Sequence, residues 1–162
     1  MNNITVKNRY PLPLIRETLD ALCGARFYTK LDIIAAFNKI RIAEGHEWLT
    51  AFITGFGLYK MLVTPFCLCK APATFQNYIN HMLHDILDDY CTAYLDDVLV
   101  FSKTRAEHTK HVDEVIHRLE AAGLQIDIHK SEFYTERTKY LGLIISTEGL
   151  NMDSEKVQVS RF

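Results

Sequence analysis

Tyr94-Leu95-Asp96-Asp97-Val98-Leu99-Val100-Phe101, YLDDVLVF, sets two adjacent carboxylates inside an apolar run that reads as strand. The β-formers on either side, Cys91-Thr92-Ala93-Tyr94 and Val98-Leu99-Val100-Phe101, predict a hairpin with the acidic pair at its bend. Two like charges in a half-buried hairpin repel each other and resist desolvation, so they need a compensating partner. Either the pair marks a tight turn, where Asp bonds its own backbone, or it marks a site. The chain carries a control for this choice: Leu87-Asp88-Asp89 repeats the tripeptide where a helical pattern closes, and solvated turn carboxylates suffice there.

At 162 residues with 48% hydrophobic composition, the chain is long enough for one globular domain with a real core. A charged fraction of 23% without low-complexity tracts argues against wholesale disorder. No apolar run approaches a membrane span and no signal-peptide core is visible at the N-terminus, so an intracellular chain with no membrane partner is expected, cytoplasm and nucleus being equally open. The four cysteines, Cys23, Cys67, Cys69 and Cys91, show neither CxxC nor repeated spacing, which opposes a disulfide framework or a zinc ribbon. The net charge of −2 is unlike the basic footprint of most nucleic-acid-binding domains, and the short basic clusters read first as solvated surface.

Pro11 to Leu22 predicts a helix ended by Cys23-Gly24. Phe27 to Ile33 predicts a strand carrying Asp32 near its end, followed by a turn or short helix at Ala35 to Asn38 and a short alternating run at Lys39 to Ile42. Leu49 to Thr54 and Leu58 to Val63 bracket Gly55-Phe56-Gly57 as a hairpin. Apolar spacing after Pro72 predicts a core helix over Ala71 to Leu87, and a second amphipathic helix over Arg105 to Ala122 stops at Gly123. Strands are expected again at Leu124 to Ile128 and Tyr140 to Ile145. The order predicts an α+β fold with a mostly antiparallel sheet and helices packed on one face.

Asp32 and the pair Asp96-Asp97 fall on strands expected in one sheet. Three carboxylates meeting at a sheet edge call for cations, and Mg²⁺ with its preference for oxygen is the expected one. Two such ions suit in-line phosphoryl displacement, which makes nucleotidyl transfer a chemical option. The histidine pairs His81/His84 and His108/His111 have helical spacing but no third ligand nearby, and read first as helix-surface residues.

Six segments carry a further signal in their order: KNRYPLPLI at 7–15, KLDIIAAFNKIRI at 30–42, TPFCLCKAPATFQ at 64–76, YLDDVLVFS at 94–102, GLQIDIHKSEF at 123–133 and KYLGLIIS at 139–146. Together they resemble the reverse transcriptases of long-terminal-repeat retrotransposons of the Ty3/gypsy type, relatives of the retroviral enzymes. The resemblance implies a polymerase palm with partial fingers, residues 1–162 forming one such domain fragment without the first fingers segment, thumb, connection or RNase H. It implies RNA-directed DNA polymerase activity with Mg²⁺, Mn²⁺ being the alternative, on an RNA or DNA template with primer and deoxynucleoside triphosphates. Other segments of a retrotransposon polyprotein are its implied partners.

By the same resemblance Asp32, Asp96 and Asp97 are the catalytic, metal-binding carboxylates. Phe37 is the aromatic beneath the incoming sugar, where a flat ring leaves no room for a 2′-hydroxyl; a core Phe is the competing reading. Ile33, Phe66, Cys67 and Lys130 fall at the nucleotide, Lys130 near its triphosphate. Pro72, Gln76, Tyr94, Leu141 and Gly142 fall on the template and primer side, with Tyr140-Leu141-Gly142 resembling the hairpin that grips the primer end. Cys67 and Lys70 depart from the family's usual Gly and Asn, and Cys67 adds a side chain where a backbone would approach the ligand. A catalytically inactive remnant that binds nucleic acid or serves as an interaction module is therefore the alternative function.

Overall fold

The computed structural model describes residues 10, 22, 24–66 and 68–152. The helix predicted before Leu22 lies outside the described residues, as does Cys67. The central sheet has four antiparallel strands in the order β4-β5-β1-β6, formed by β1 (Phe27–Asp32), β4 (Cys91–Tyr94), β5 (Asp97–Ser102) and β6 (Glu132–Thr135). A separate two-stranded hairpin joins β2 (Phe52–Thr54) to β3 (Gly57–Tyr59). A three-stranded meander holds β7 (Arg137–Tyr140), β8 (Leu143–Ser146) and β9 (Gly149–Met152).

Period-two alternation sorts the central strands into two cores. Leu31, Val98, Val100, Cys91 and Ala93 face α1 (Ala71–Leu83) and α2 (Arg105–Ala121), where they meet Phe75, Ile79, Leu83, Val112, Val115 and Leu119. Tyr28, Leu99 and Phe101 point the other way and pack with Tyr140 and Ile145 of the meander. The helices therefore lie on one face of the sheet, as the sequence order predicts. Helix α2 begins at Thr104, whose hydroxyl accepts from the Glu107 N–H, and ends before Gly123, which takes φ +71.

Four expectations change in detail. The core helix stops at Leu83 rather than Leu87, because the Leu83 carbonyl accepts from both Ile86 and Leu87 and Asp88 at φ 66 turns the chain toward β4. In the Gly55-Phe56 hairpin the ladder is shorter than predicted; Thr50 ends a 3-10 turn, and its hydroxyl holds both the N–H and the carbonyl of Met61. Leu124 to Ile128 forms no strand and only bridges Ile33 through Ile126, since Asp127 folds the next residues into a turn with its carboxylate accepting from the N–H groups of His129 and Lys130. Tyr140 to Ile145 is two strands: Leu141 and Gly142 both take positive φ, 53 and 78, the two-residue turn pattern that matches strand twist.

His108 is completely buried, not on the helix surface. Its Nε2 lies 2.8 Å from the Thr29 hydroxyl and its Nδ1 lies 2.9 Å from Ser102 Oγ, so both ring nitrogens are spent on tying α2 to β1 and β5. Burial lowers its pKa to about 4 and keeps it neutral.

Candidate active site

The sheet brings two of the predicted carboxylates face to face. Asp32 ends β1 and Asp97 begins β5, and they are direct antiparallel partners. Asp96 belongs to the two-residue turn Leu95-Asp96 that joins β4 to β5, with Tyr94 and Asp97 paired across it. The Ile33 N–H donates to the Asp96 carbonyl at 2.9 Å, which pins the bend beside the end of β1. The twin tripeptide differs in its surroundings: Asp88 and Asp89 are exposed in a turn, whereas Asp96 in the bend and Asp97 at the start of β5 are partly buried.

A cleft of about 220 Å³ opens at this edge, lined by Asp32, Asp96, Asp127, Lys130, Phe37 and Phe66 among others. Asp97 is not part of its wall. Its carboxyl is held above the ordinary range chiefly by burial; Lys30 opposes the shift, while Asp96 and Asp32 add to it. The repulsion expected from YLDD is thus present at Asp97.

Lys130 is exposed at 68% and its ammonium stands 3.9 Å from Asp32 and 3.9 Å from Asp127. Asp127 was not among the residues singled out from sequence. Its N–H donates to the Asp32 carbonyl, Ser131 Oγ donates to the Asp127 carbonyl, and the Asp32 N–H donates to Ser131 Oγ. The signal for it was an Asp three residues before Lys130, set between Ile126 and Ile128 and just ahead of the polar His129-Lys130-Ser131, where an Asp can cap a turn with its side chain.

Phe37 sits in a 3-10 turn (Ala36–Lys39) that Ala35 starts from a left-handed conformation, φ 50. The ring is 9% exposed, lines the cleft, and meets Phe66 and Phe75 edge-on at 5.4 and 5.8 Å. Core packing and cleft position are therefore both true of it. Phe66 is 80% exposed, and Ile33, itself buried, also lines the cleft.

The residues expected on the template and primer side separate. Pro72 is partly buried at the second position of α1. Tyr94 and Leu141 pack against the same core beneath the meander, which couples the β7-β8 hairpin to the acidic hairpin. Gly142 completes that hairpin's turn. Gln76 is a correction. It is fully buried, and its amide bonds the backbone of the acidic hairpin from below, so it faces the turn and not a template strand.

No group of three or more His, Cys, Asp or Glu among the described residues is gathered closely enough to form a ready metal cage. His81 and His84 stack with ring centroids 6.2 Å apart, and the His84 Nδ1 lies 3.6 Å from an Asp85 carboxylate oxygen. A larger cleft of about 360 Å³ lies toward the opposite end of β5, beside Tyr90, Ser102 and His111, and collects none of the predicted site residues.

An antiparallel sheet backed by two helices, with Asp32 set against Asp97 beside a bend held by its backbone, is a polymerase palm of the retroviral kind. Residues 1–145 match the family described as reverse transcriptase (RNA-dependent DNA polymerase), and the chain belongs to that family. Over 157 residues, 97% of the chain, it is 37% identical to the Transposon Tf2-3 polyprotein of Schizosaccharomyces pombe (strain 972 / ATCC 24843) and 36% identical to the Tf2-7 polyprotein of the same organism. It spans 12% of the length of each. Among solved structures, the foamy viral protease-reverse transcriptase in complex with RNA/DNA hybrid superposes with TM-score 0.87 at 22% identity, covering 99% of this chain and 22% of that one. The foamy viral protease-reverse transcriptase dRH in complex with ds DNA gives 0.89 at 22% identity, covering 99% and 28%. The resemblance read from six sequence segments is thereby shown at the level of family and fold.

Proposed function

We propose that this chain carries the palm chemistry of an RNA-directed DNA polymerase, adding deoxynucleotides to a primer 3′-hydroxyl within a retrotransposon polyprotein. The observation that carries the reading is that Asp97 opposes Asp32 across the β1–β5 pair while Asp32, Asp96 and Phe37 line one cleft. The donor set fits Mg²⁺: hard carboxylate oxygens, one of them destabilised by its neighbours, with too few ligands for a closed cage. A cation that keeps water and substrate phosphates as ligands requires only one or two protein carboxylates. When bound, Mg²⁺ or Mn²⁺ would acidify the primer hydroxyl and neutralise the phosphate oxygens.

The chain's own residues do the rest. Asp32, Asp96 and Asp97 would hold the cations and so fix where the primer hydroxyl meets the α-phosphate. Lys130, exposed on a long stem, leaves Asp32 for the triphosphate and supplies a proton at the departing pyrophosphate oxygen. Phe37 lies under the sugar and excludes a 2′-oxygen by contact. Tyr94 and the Leu141-Gly142 turn support the primer end. The template is read by base pairing, with duplex shape and backbone recognised by the protein.

The test is primer extension on poly(A)/oligo(dT) with dTTP and Mg²⁺ or Mn²⁺, set beside Asp96→Asn. Extension by the wild-type chain that falls by roughly three orders of magnitude in the variant is expected, the scale of losing several kcal/mol of charge stabilisation. No extension above the variant would reject independent polymerase activity and leave the inactive-remnant reading.

A further inference from the structure

The bend that carries Asp96 has an unfavourable backbone. Leu95 takes φ 54, and Asp96 after it does not take positive φ. Positive φ at the first of two turn residues is the arrangement for which glycine is preferred, because a Cβ there crowds the next carbonyl. A leucine in that place stays only if its surroundings hold it.

Gln76 supplies the hold. It is fully buried on α1 with its amide under the bend. Its Oε1 accepts from the Leu95 N–H at 2.8 Å, and its Nε2 donates to the Ala93 carbonyl at 2.9 Å and to Asn80 Oδ1 at 2.8 Å. Both amide hydrogens are used, and the reversed amide would set N–H against N–H and carbonyl against carbonyl, so the orientation is forced. Asn80 is in turn anchored by donating to the Tyr10 hydroxyl at 3.1 Å. From the other side the Ile33 N–H holds the Asp96 carbonyl.

We propose that Gln76 is a positioning residue: it keeps Leu95 left-handed and so fixes Asp96 against Asp32, a role that rests on the polymerase reading for its consequence in catalysis. Gln76→Met keeps the volume and removes both backbone bonds. Leu95 then relaxes toward negative φ, Asp96 moves with it, and misplacing a catalytic group costs rate more than substrate affinity.

The decisive experiment is a double-mutant cycle of Gln76→Met and Leu95→Gly, read as kcat and KM for dTTP. Glycine needs no support at this position. Gln76→Met is therefore expected to lower kcat roughly tenfold when residue 95 is leucine, the scale of the left-handed penalty, and far less when it is glycine, with KM little changed in either. Equal losses in both backgrounds would overturn the proposal. Amide hydrogen exchange on the unmutated chain needs no variant to fold: the Leu95 N–H is expected to be slowed by roughly two orders of magnitude or more relative to an open turn, and exchange at the open rate would equally overturn it. If the chain proves inactive in every form, the polymerase reading fails while the clamp is still judged. The cycle is then read on Mn²⁺ affinity, where coupling supports it and additivity rejects it.

Discussion

Asp97→Asn is expected to raise the melting temperature in cation-free buffer at pH 7 while abolishing nucleotide addition. Asp97 is a half-buried carboxylate whose ionised form is penalised by burial and by Asp96 and Asp32, with Lys30 offsetting part of that penalty. The amide keeps the shape and removes the charge. In a domain of this size each kcal/mol of relief corresponds to roughly 2–4 °C. The pH dependence has a definite sign. A carboxyl whose folded pKa lies above its unfolded value of 3.8 binds more protons when folded, so stability falls as pH rises from 3.8 through the raised value. Calorimetry across that window should show the fall in the wild-type chain and its loss in the variant. A variant melting lower than wild type at pH 7 would mean that Asp97 is already compensated within the protein.

The second large effect is expected at Phe37. Phe37→Val should reduce discrimination between dTTP and UTP, measured as the ratio of their kcat/KM values, on the order of 10²-fold, because removing a steric wall is worth about as much as the contacts it excludes. The ring is also packed against Phe66 and Phe75, so the variant should lose about 2 kcal/mol of stability from the cavity left behind. A ratio of two substrates measured on the same preparation is insensitive to the fraction folded. An unchanged ratio with lowered stability would leave Phe37 as a core residue only.

Much of this site was legible in the sequence because it is built from strand ends. YLDD between β-formers reads as a hairpin, and Asp32 ends a β-rich run, so the two carboxylates meet once β1 and β5 pair with their ends in register. The contrast between Asp96-Asp97 and Asp88-Asp89 likewise follows from flanking residues. What was not legible depends on tertiary contacts or rare backbone states. Leu95 and Leu141 occupy left-handed conformations that leucine seldom adopts, so neither turn could be assigned from residue preference. Asp127 reaches the cleft only because the segment before it bridges Ile33. Gln76 and His108 are polar residues on helices, and surface is the default for both; only the backbone and hydroxyl groups waiting opposite them in the sheet make burial favourable.

The central claim, that Asp32, Asp96 and Asp97 act together as a divalent-cation site, is tested most directly by titrating Mn²⁺ into the isotopically labelled chain with primer-template and dTTP and following paramagnetic broadening of the aspartate carboxyl resonances. Asp32, Asp96 and Asp97 should broaden first and together, Asp88 and Asp89 only at much higher concentration, and Asp32→Asn should weaken the effect at both Asp96 and Asp97. Broadening that begins at Asp88 and Asp89, or that reaches the three carboxylates independently of one another, would contradict the account.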